Sequence, residues 1–394
     1  MQRRVELDAL RGLMLIWITF THLPTALSTY TSQPFGFLSA SEGFIFLSAL
    51  FAGLIYCRLA QREGVRAMCR KAWMRTGRLY LYHALLLVLL FVVEARMAAQ
   101  GNRPAIHNLL DFYFTAGAMR ATIYAALLLY RPPLLDILPI YIVFLALTPL
   151  VLISASRWGW KLVLGGSFVL WMLAQFGFRG FVYGLIARGL GLQTPLQQMG
   201  PFDYWAWQFW WVLGIWLGVN WAENTDLSLS ALARRFAIPA GAVALSLLVL
   251  RQAQIHGLVE FGKFAFLVDK WHLGVVRLID FAAVALLAIF FQSWLKRLAV
   301  RPLVLMGQAS LQVFCVHLAV VFFALTILGQ DPVISGWRVP VLVTAGVAAL
   351  LVTGKVFAKD KGTSGKGVSG QPSVRKLGEL KRLPPQAGVG GIGI

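Results

Sequence analysis

The sequence predicts an all-α polytopic membrane protein with about ten transmembrane helices and both termini in the cytoplasm. Hydrophobic residues make up 58% of the 394 residues, charged residues make up 13%, and the mean hydropathy is +0.71. This composition is too apolar for a soluble globular domain, so most of the chain must be solvated by lipid. Backbone groups in lipid have to be satisfied within each element, and no alternating pattern favours a barrel, so the spans are predicted to be helices.

Ten apolar windows approach the length of about 20 helical residues that crosses a hydrocarbon core. They cover residues 10–27, 37–57, 79–97, 137–154, 161–175, 207–221, 236–250, 275–294, 303–328 and 339–352. The fifth and seventh windows are short. Asp8 and Arg11 interrupt the start of the first window, and no small-residue cleavage site follows it, so we interpret it as an uncleaved span rather than a signal peptide.

The distribution of Lys and Arg predicts the orientation of these spans. Of the 36 basic residues, 25 fall on the side that both termini share and 11 fall on the other side. Cytoplasmic connections carry the excess of basic residues, which predicts that both termini of this inner-membrane-type protein face the cytoplasm. The net charge of +20 is then explained by membrane anchoring, and we expect a lipid bilayer and no nucleic acid as partner. The densest basic cluster is the predicted second connection, residues 58–78.

Two regions are predicted from the change in composition along the chain. Residues 1–354 would form the transmembrane domain, and residues 355–394 would form a disordered, basic, Gly/Ser/Pro-rich cytoplasmic tail that can bury no core. The three cysteines lack the spacing of metal ligands, so no metal site is expected.

Ionisable residues inside spans are costly and are therefore candidates for function. His22 follows Arg11 in the first window by 11 residues, a rise of about 16 Å in a helix, which places His22 in the outer half of the membrane. Its imidazole titrates near neutrality and could take a proton from a hydroxyl group. The alternative is a histidine that only ends the span at the interface.

Glu42 begins the second window, and antiparallel packing of the first two spans would place its carboxylate at a depth similar to that of His22. A carboxylate could orient the imidazole or stabilise its cation. Alternatively, Glu42 is an acid near a helix N-terminus, beside Ser39 and Ser41, where the helix dipole favours negative charge.

Arg75 and Arg78 lie three residues apart before the third window, on one face of a helix if that helix starts early. Two guanidinium groups on one face suit a phosphate-rich ligand such as coenzyme A. An anionic lipid headgroup would suit them equally. The sequence contains further ionisable candidates, and their spacing does not indicate which of them would bind a ligand. They are Asp136, Lys270, His272, Arg277, Asp280 and His317.

A serine-nucleophile elbow, a His-Glu-x-x-His motif and a dinucleotide-binding glycine pattern are missing from the sequence. Base-assisted group transfer is the simplest chemistry that remains. Gly214 and Gly218 show the small-x-x-x-small spacing that predicts close helix packing.

The stretch Leu-Asp-Ala-Leu-Arg-Gly at residues 7–12, followed by His22, resembles the opening of the membrane acyltransferase family 3 superfamily. Arg75 and Arg78 resemble its second signature. Within the superfamily the chain is most similar to the OpgC branch, the succinyl-modifying enzymes of osmoregulated periplasmic glucans. This likeness is carried by residues 41–48, 273–281 and 307–317, and it extends to about residue 350.

The resemblance implies a ten-helix transferase that holds no permanent cofactor and uses cytoplasmic acyl-CoA, with succinyl-CoA as the expected donor. The acceptor would be a hydroxyl group of a periplasmic glucan or another glycan. His22 would be the catalytic base and Arg11 its partner, Glu42 would support His22, and Arg75 with Arg78 would bind the nucleotide end of the donor. Direct transfer and an acyl-histidine intermediate both fit the sequence.

Two other classes of function are weighed against the transferase. A transporter or flippase of an anionic or acylated solute would be expected to show internal repeats and broken spans. We find no repeat between the halves of the sequence. A non-catalytic scaffold for glycan synthesis would leave His22 and the arginine pair unexplained.

Overall fold

The computed structural model describes residues 5–101, 103–191, 195–225, 227–331 and 333–358, and these residues form 18 α-helices. The first nine are α1 (Val5–His22), α2 (Leu27–Thr31), α3 (Ala40–Glu63), α4 (Val65–Val88), α5 (Ala95–Gln100), α6 (Pro104–Leu109), α7 (Asp111–Ala116), α8 (Ala118–Ala126) and α9 (Ile137–Trp158). The others are α10 (Trp160–Gln175), α11 (Phe178–Leu190), α12 (Tyr204–Ala222), α13 (Leu229–Ile255), α14 (Val275–Phe290), α15 (Gln292–Leu295), α16 (Arg301–Gln308), α17 (Ser310–Leu328) and α18 (Arg338–Phe357). A π-helical segment, Leu89–Glu94, joins α4 to α5. The predicted all-α class is confirmed, since β-structure in the described residues is limited to two isolated bridges.

Six of the described helices are long and apolar enough to cross a membrane. They are α3, the continuous helix Val65–Gln100, α9, α13, α17 and α18. Two bent pairs raise the number to eight if each pair is one span: α10 with α11, bent by 84°, and α14 with the helical residues that follow it, bent by 74°. The chain is therefore a multi-pass membrane protein.

The first and sixth predicted spans correspond to α1 and α12, which are helical but less apolar than the others. Glu6, Asp8 and Arg11 lower the hydropathy of α1. In α12, tryptophans together with Gln208 and Asn220 have the same effect. The structure thus supports six to eight spans, and the count of ten, like the cytoplasmic placement of the termini, stays a prediction.

The polar ends of the helices gather at two opposite ends of the bundle. At one end α1 finishes, α3, α12 and α14 begin, and their loops are joined by backbone hydrogen bonds such as that from Asp203 to Trp271 O. We call this the histidine end, after His22. At the other end Gly64 joins α3 to α4 and Gly159 joins α9 to α10. We call this the basic end, after the arginines and lysine at its surface: Arg58, Arg62, Arg66, Arg70 and Lys71.

The predicted second connection, residues 58–78, does join two spans, but it is helical rather than a long loop. It is a helical hairpin in which α3 continues to Glu63, α4 starts at Val65, and only Gly64 lies between them. Gly64 has φ of +86°, a conformation that only glycine adopts at little cost. The arginines, lysine and alanines of this stretch are good helix formers, so both helices extend past the apolar windows.

Two further boundaries differ from the prediction. The ninth window, residues 303–328, is divided into α16 and α17 at Ala309. The last helix runs to Phe357, so the predicted boundary between residues 354 and 355 falls inside α18. The predicted tail from residue 359 onward lies outside the described residues.

Close packing at Gly214 and Gly218 is confirmed where α12 crosses α3. A Cβ atom on Gly218 would lie 2.1 Å from the carbonyl oxygen of Leu50, and one on Gly214 would lie 2.6 Å from Cβ of Ala49. Gly53 of α3 contributes to the same close contact, because a Cβ atom on Gly53 would lie 2.3 Å from the carbonyl oxygen of Ile215 in α12. This contact fixes α3, and with it the position of Glu42 near its start.

A second close crossing holds α1 against α16. A Cβ atom on Gly12 would lie 2.1 Å from Leu303 O, and one on Gly307 would lie 1.8 Å from Asp8 O. Backbone atoms cannot move aside as the end of a flexible side chain can. The glycine in the stretch 7–12 therefore has a packing role, which is to set the position of α1.

Replacing Gly307 by alanine is expected to destabilise the protein by about 1–3 kcal/mol, because the added methyl group would separate α1 from α16. The measurement is the thermal midpoint of purified protein in detergent. Gly241→Ala is the matched control, since nothing lies within 4 Å of a Cβ on Gly241 in α13. Equal midpoints for the two variants would contradict the role of Gly307.

Candidate active site: a histidine pair beside a buried ion pair

Two histidines from distant parts of the chain meet at the histidine end. His22 is the last residue of α1, and its Nδ1 atom lies 3.1 Å from Nε2 of His317 in α17. His317 is fully buried, whereas His22 is partly exposed. A molecule that enters the site would therefore meet His22 and not His317.

The hydrogen bonds of this pair determine which ring nitrogens carry protons. Nδ1 of His317 lies 2.6 Å from the carbonyl oxygen of Phe314, one turn earlier in α17. A carbonyl only accepts, so Nδ1 of His317 must be the donor and its Nε2 must be an acceptor. His22 then donates from Nδ1, which leaves the lone pair of its ring on Nε2. Within the described residues Nε2 of His22 makes no hydrogen bond, so this lone pair is available to a ligand.

Glu42 lies near the start of α3 and is saturated with hydrogen bonds. Its Oε1 atom accepts from Nε of Arg277 at 2.9 Å and also from Nη2 of the same guanidinium. Its Oε2 atom accepts from the Ser39 backbone at 3.1 Å, from the Ser39 hydroxyl and from the Ser41 hydroxyl at 3.2 Å. Ser39 and Glu42 form a capping box, and Glu42 does lie near a helix N-terminus, as the alternative interpretation expected.

The pair of Glu42 and Arg277 is withdrawn from solvent, with each side chain only 1% exposed. No hydrogen bond joins Glu42 to His22 among the described residues. Among the described residues, the side chain hydrogen-bonded to His22 is His317, and the support of His22 by Glu42 stays a prediction. Glu42 acts on the site by fixing α3 to α14 through Arg277.

Asp280, one turn after Arg277 in α14, holds the segment that leads into α3. Its Oδ2 atom accepts a hydrogen bond of 2.7 Å from the backbone of Phe37. The same oxygen would lie 2.6 Å from a Cβ on Gly36, whose φ is +82°. A larger residue at Gly36 would separate the two groups, so glycine is required for this contact.

Lys270 enters the site from the loop between α13 and α14. Its ammonium group interacts electrostatically with both the Glu42 carboxylate and the His22 ring. Within the described residues it forms no ion pair, and its nitrogen lies 5.1 Å from the centre of the Trp271 ring and 5.9 Å from that of Phe202. His22, His317, Glu42, Arg277 and Lys270 thus form one cluster of ionisable groups.

Arg11 does not belong to this cluster. It is 11 residues before His22 on the same helix, a rise of about 16 Å. Its Nη2 atom donates to Ser310 at 2.6 Å and to Ser48 at 3.5 Å, and its guanidinium lies over the rings of Phe44 and Phe51. Arg11 is buried where α1, α3 and α17 meet, between the histidine end and the basic end.

Arg75 and Arg78 are both exposed on α4, which does start early, at Val65. The two residues lie on one helical face, as their spacing predicted. The charge of Arg75 acts on the hydroxyl group of Tyr56 in α3. Both arginines lie in the middle of α4, 10 and 13 residues after Val65, where this helix starts at the basic end.

The sequence analysis named further candidates without assigning a role to any of them. Three of these candidates belong to the site: His317, Arg277 and Lys270. His317 lies 295 residues from His22, and Arg277 lies 235 residues from Glu42. One signal could have selected two of them: His317 and Arg277 are ionisable residues in stretches 307–317 and 273–281, which carry the family resemblance.

The fold and the site define a multi-pass helical membrane protein with a cluster of ionisable residues buried at one end of its bundle. A family model described as OpgC protein matches residues 3–361. The chain belongs to the OpgC family, and membership implies a transferase that acts on glucans. No curated protein and no solved structure matches the chain.

Proposed function

We propose that the protein is an inner-membrane O-acyltransferase that moves a succinyl group from cytoplasmic succinyl-CoA to a hydroxyl group of a periplasmic glucan. Family membership supports a transferase acting on glucans. The observation that carries the proposal of acyl transfer is the hydrogen bond between His22 and His317, because it leaves the lone pair of His22 on an accessible nitrogen. A neutral imidazole in this state is a general base.

In the proposed reaction the acceptor hydroxyl gives its proton to Nε2 of His22 while its oxygen attacks the thioester carbon. A C–O bond forms, and the C–S bond breaks when the tetrahedral intermediate collapses. The proton then passes from His22 to the departing thiolate, so the products are a glucan ester and free coenzyme A. During the step the charged His22 ring keeps its hydrogen bond from Nδ1 to His317, which stabilises the imidazolium as an orienting group does in catalytic triads.

The two ends of the bundle suggest the direction of transfer. The basic end carries the excess of arginine and lysine that is typical of cytoplasmic surfaces. The donor would enter there, with its phosphates at Arg75 and Arg78. The histidine end would then face the periplasm, where the glucan arrives.

Arg11 has a different part in the proposed reaction from the one predicted for it. Because it is separated from His22 by three turns of α1, it cannot touch the same reacting atoms. We assign it to the path of the donor, where its contacts with Ser48 and Ser310 hold α3 and α17 against α1. The reacting thioester would pass this point to reach His22.

The test uses membrane vesicles that contain the full-length protein, labelled succinyl-CoA on one side and glucan on the other. The expected result is a glucan that gains the mass of succinyl groups and an equal amount of free coenzyme A. Release of coenzyme A without a glucan product would contradict the proposed acceptor. Movement of a labelled anionic solute without any covalent product would instead favour a transporter, for which broken helices such as the pair α10 and α11 are typical.

His317 is proposed as a positioning residue, and its variants separate that role from a structural one. His317→Ala is expected to lower the rate of transfer by about 10- to 100-fold, because His22 loses the acceptor that fixes its tautomer. His317→Gln is expected to recover part of this loss, since the amide oxygen can accept from Nδ1 of His22. The measurement is the pH dependence of transfer, and equal rates and identical pH profiles for both variants would contradict the proposed role.

A further inference from the structure

The segment 268–274, which carries Lys270, is held firmly by its neighbours. Its carbonyl groups accept five hydrogen bonds from three helices, α10, α12 with its N-cap residue, and α14. The donors are Arg277 to Val268 O, the Asp203 backbone and the Trp207 indole to Trp271 O, Gln175 to His272 O, and the Trp171 indole to Leu273 O, over distances of 2.7 to 3.5 Å. The backbone of Lys270 is therefore fixed above the start of α14.

The ammonium group at the end of this fixed backbone contacts aromatic rings but has no hydrogen-bond acceptor among the described residues. Within the described residues Lys270 donates no hydrogen bond and forms no ion pair. Glu42 is its nearest candidate partner by charge, but both carboxylate oxygens of Glu42 are occupied by Arg277, Ser39 and Ser41. Asp136, at the start of α9, interacts with Lys270 only through charge.

The surroundings of Lys270 make this cation more attractive to an anion than one at the surface. Burial lowers the pKa of Lys270, Glu42 raises it, Arg277 lowers it, and Asp136 raises it. The group is half-buried beside aromatic rings. Coulomb attraction is stronger in such a site than in water, because the effective dielectric constant is lower.

We propose that Lys270 binds the free carboxylate of a dicarboxylic acyl group and so selects the acyl donor. This inference rests on the proposed function and adds the residue that distinguishes a charged acyl chain from a neutral one. His22 and Lys270 would act on the two ends of one acyl group, with the thioester carbon at His22 and the distal carboxylate at Lys270. Arg277 donates both to Glu42 and to Val268 O, which places the segment that carries Lys270 beside the start of α3. The charge of Lys270 also acts on His22, in line with this placement.

A neutral acyl group of the same reactivity would leave Lys270 without an anion. It would lose the charge-assisted hydrogen bond while keeping its access to His22. The selectivity for a donor with a carboxylate is therefore expected to depend on the positive charge at position 270, and much less on the shape of the side chain.

The test compares labelled succinyl-CoA and acetyl-CoA as competing donors for full-length protein in membrane vesicles, with glucan products separated by mass. For Lys270→Met, the ratio of succinyl to acetyl transfer is expected to fall by about 10- to 100-fold relative to the native protein. Lys270→Arg keeps the charge and is expected to keep most of the preference. Lys263→Met is the matched control: Lys263 is exposed in the same loop, against Phe264, and its loss is expected to leave the ratio unchanged.

An unchanged ratio in an active Lys270→Met protein would overturn the inference and leave the proposed function intact. Equal loss of both donors in Lys270→Met and Lys270→Gln, at native thermal midpoints, would also overturn it, because the lysine would then serve transfer in general. If the native protein transfers neither group, the proposed function itself fails.

Discussion

His22→Ala is expected to abolish glucan acylation, with a loss of about 100- to 10,000-fold in rate. The alanine variant lacks the imidazole that is placed to take the proton from the acceptor hydroxyl. His317 cannot replace it, because its ring is fully buried behind the position of His22 and the acceptor would not reach its Nε2 atom. The measurement is the initial rate of transfer in vesicles that contain equal amounts of native and variant protein.

The control for this variant is His256→Ala. His256 follows α13 and is exposed, so its removal is expected to leave the rate unchanged. If His22→Ala kept the native rate, His22 would be a structural histidine at the end of its helix, and the base would have to be sought elsewhere. If both histidine variants lost activity equally, the loss would reflect damage to the fold rather than removal of a base.

The elements of this protein were predictable because they depend on local pattern. Each of the ten apolar windows contains helical residues. Ser39 and Glu42, which form the capping box of α3, are only three residues apart in the sequence. Glycine spacing in α12 predicted a close crossing, although it did not identify α3 as the other helix. Local spacing also placed Arg75 and Arg78 on one face of α4.

The site was harder to predict, because it depends on which helices become neighbours. An acid at a helix start has several possible partners, and the sequence analysis named only His22 as a partner for Glu42. The choice of Arg277 follows from the contact of α3 with α14 at the histidine end, and the choice of His317 for His22 follows from the contact of α1 with α17. Backbone contacts such as that of Gly307 with Asp8 determine which helices pack against each other. The periodicity of the sequence does not predict these contacts.

At the hairpin around Gly64 the ends of the helices, rather than their neighbours, were predicted incorrectly. The basic residues from 58 to 78 were predicted to connect two spans because charge ends an apolar window, but charge does not end a helix. Long basic side chains can keep their charges in water while their helix continues, and arginine and lysine have high helix propensity. The membrane boundary and the helix boundary are therefore different positions in this region.

Arg277→Met is expected to cost about 3–5 kcal/mol of stability, which is the largest effect on folding that we predict. The substitution leaves the Glu42 carboxylate buried with only the Ser39 and Ser41 donors, and a buried charge without its counter-charge is strongly unfavourable. The measurement is the midpoint of denaturation of purified protein in detergent, compared at one protein concentration. The double variant Glu42→Gln with Arg277→Met removes both charges and is expected to recover a large part of the loss.

The exposed pair of Lys71 and Glu63 provides a matched control for this cycle. Its nitrogen and oxygen are 2.8 Å apart, but the side chains are 45% and 48% exposed, so Lys71→Met is expected to cost less than about 1 kcal/mol. Equal costs for Arg277→Met and Lys71→Met would show that burial adds nothing to the Glu42 pair. A double variant no more stable than Arg277→Met would show that Arg277 stabilises the fold through its packing or its contact with Val268, and the role of the ion pair in fixing α3 to α14 would have to be abandoned.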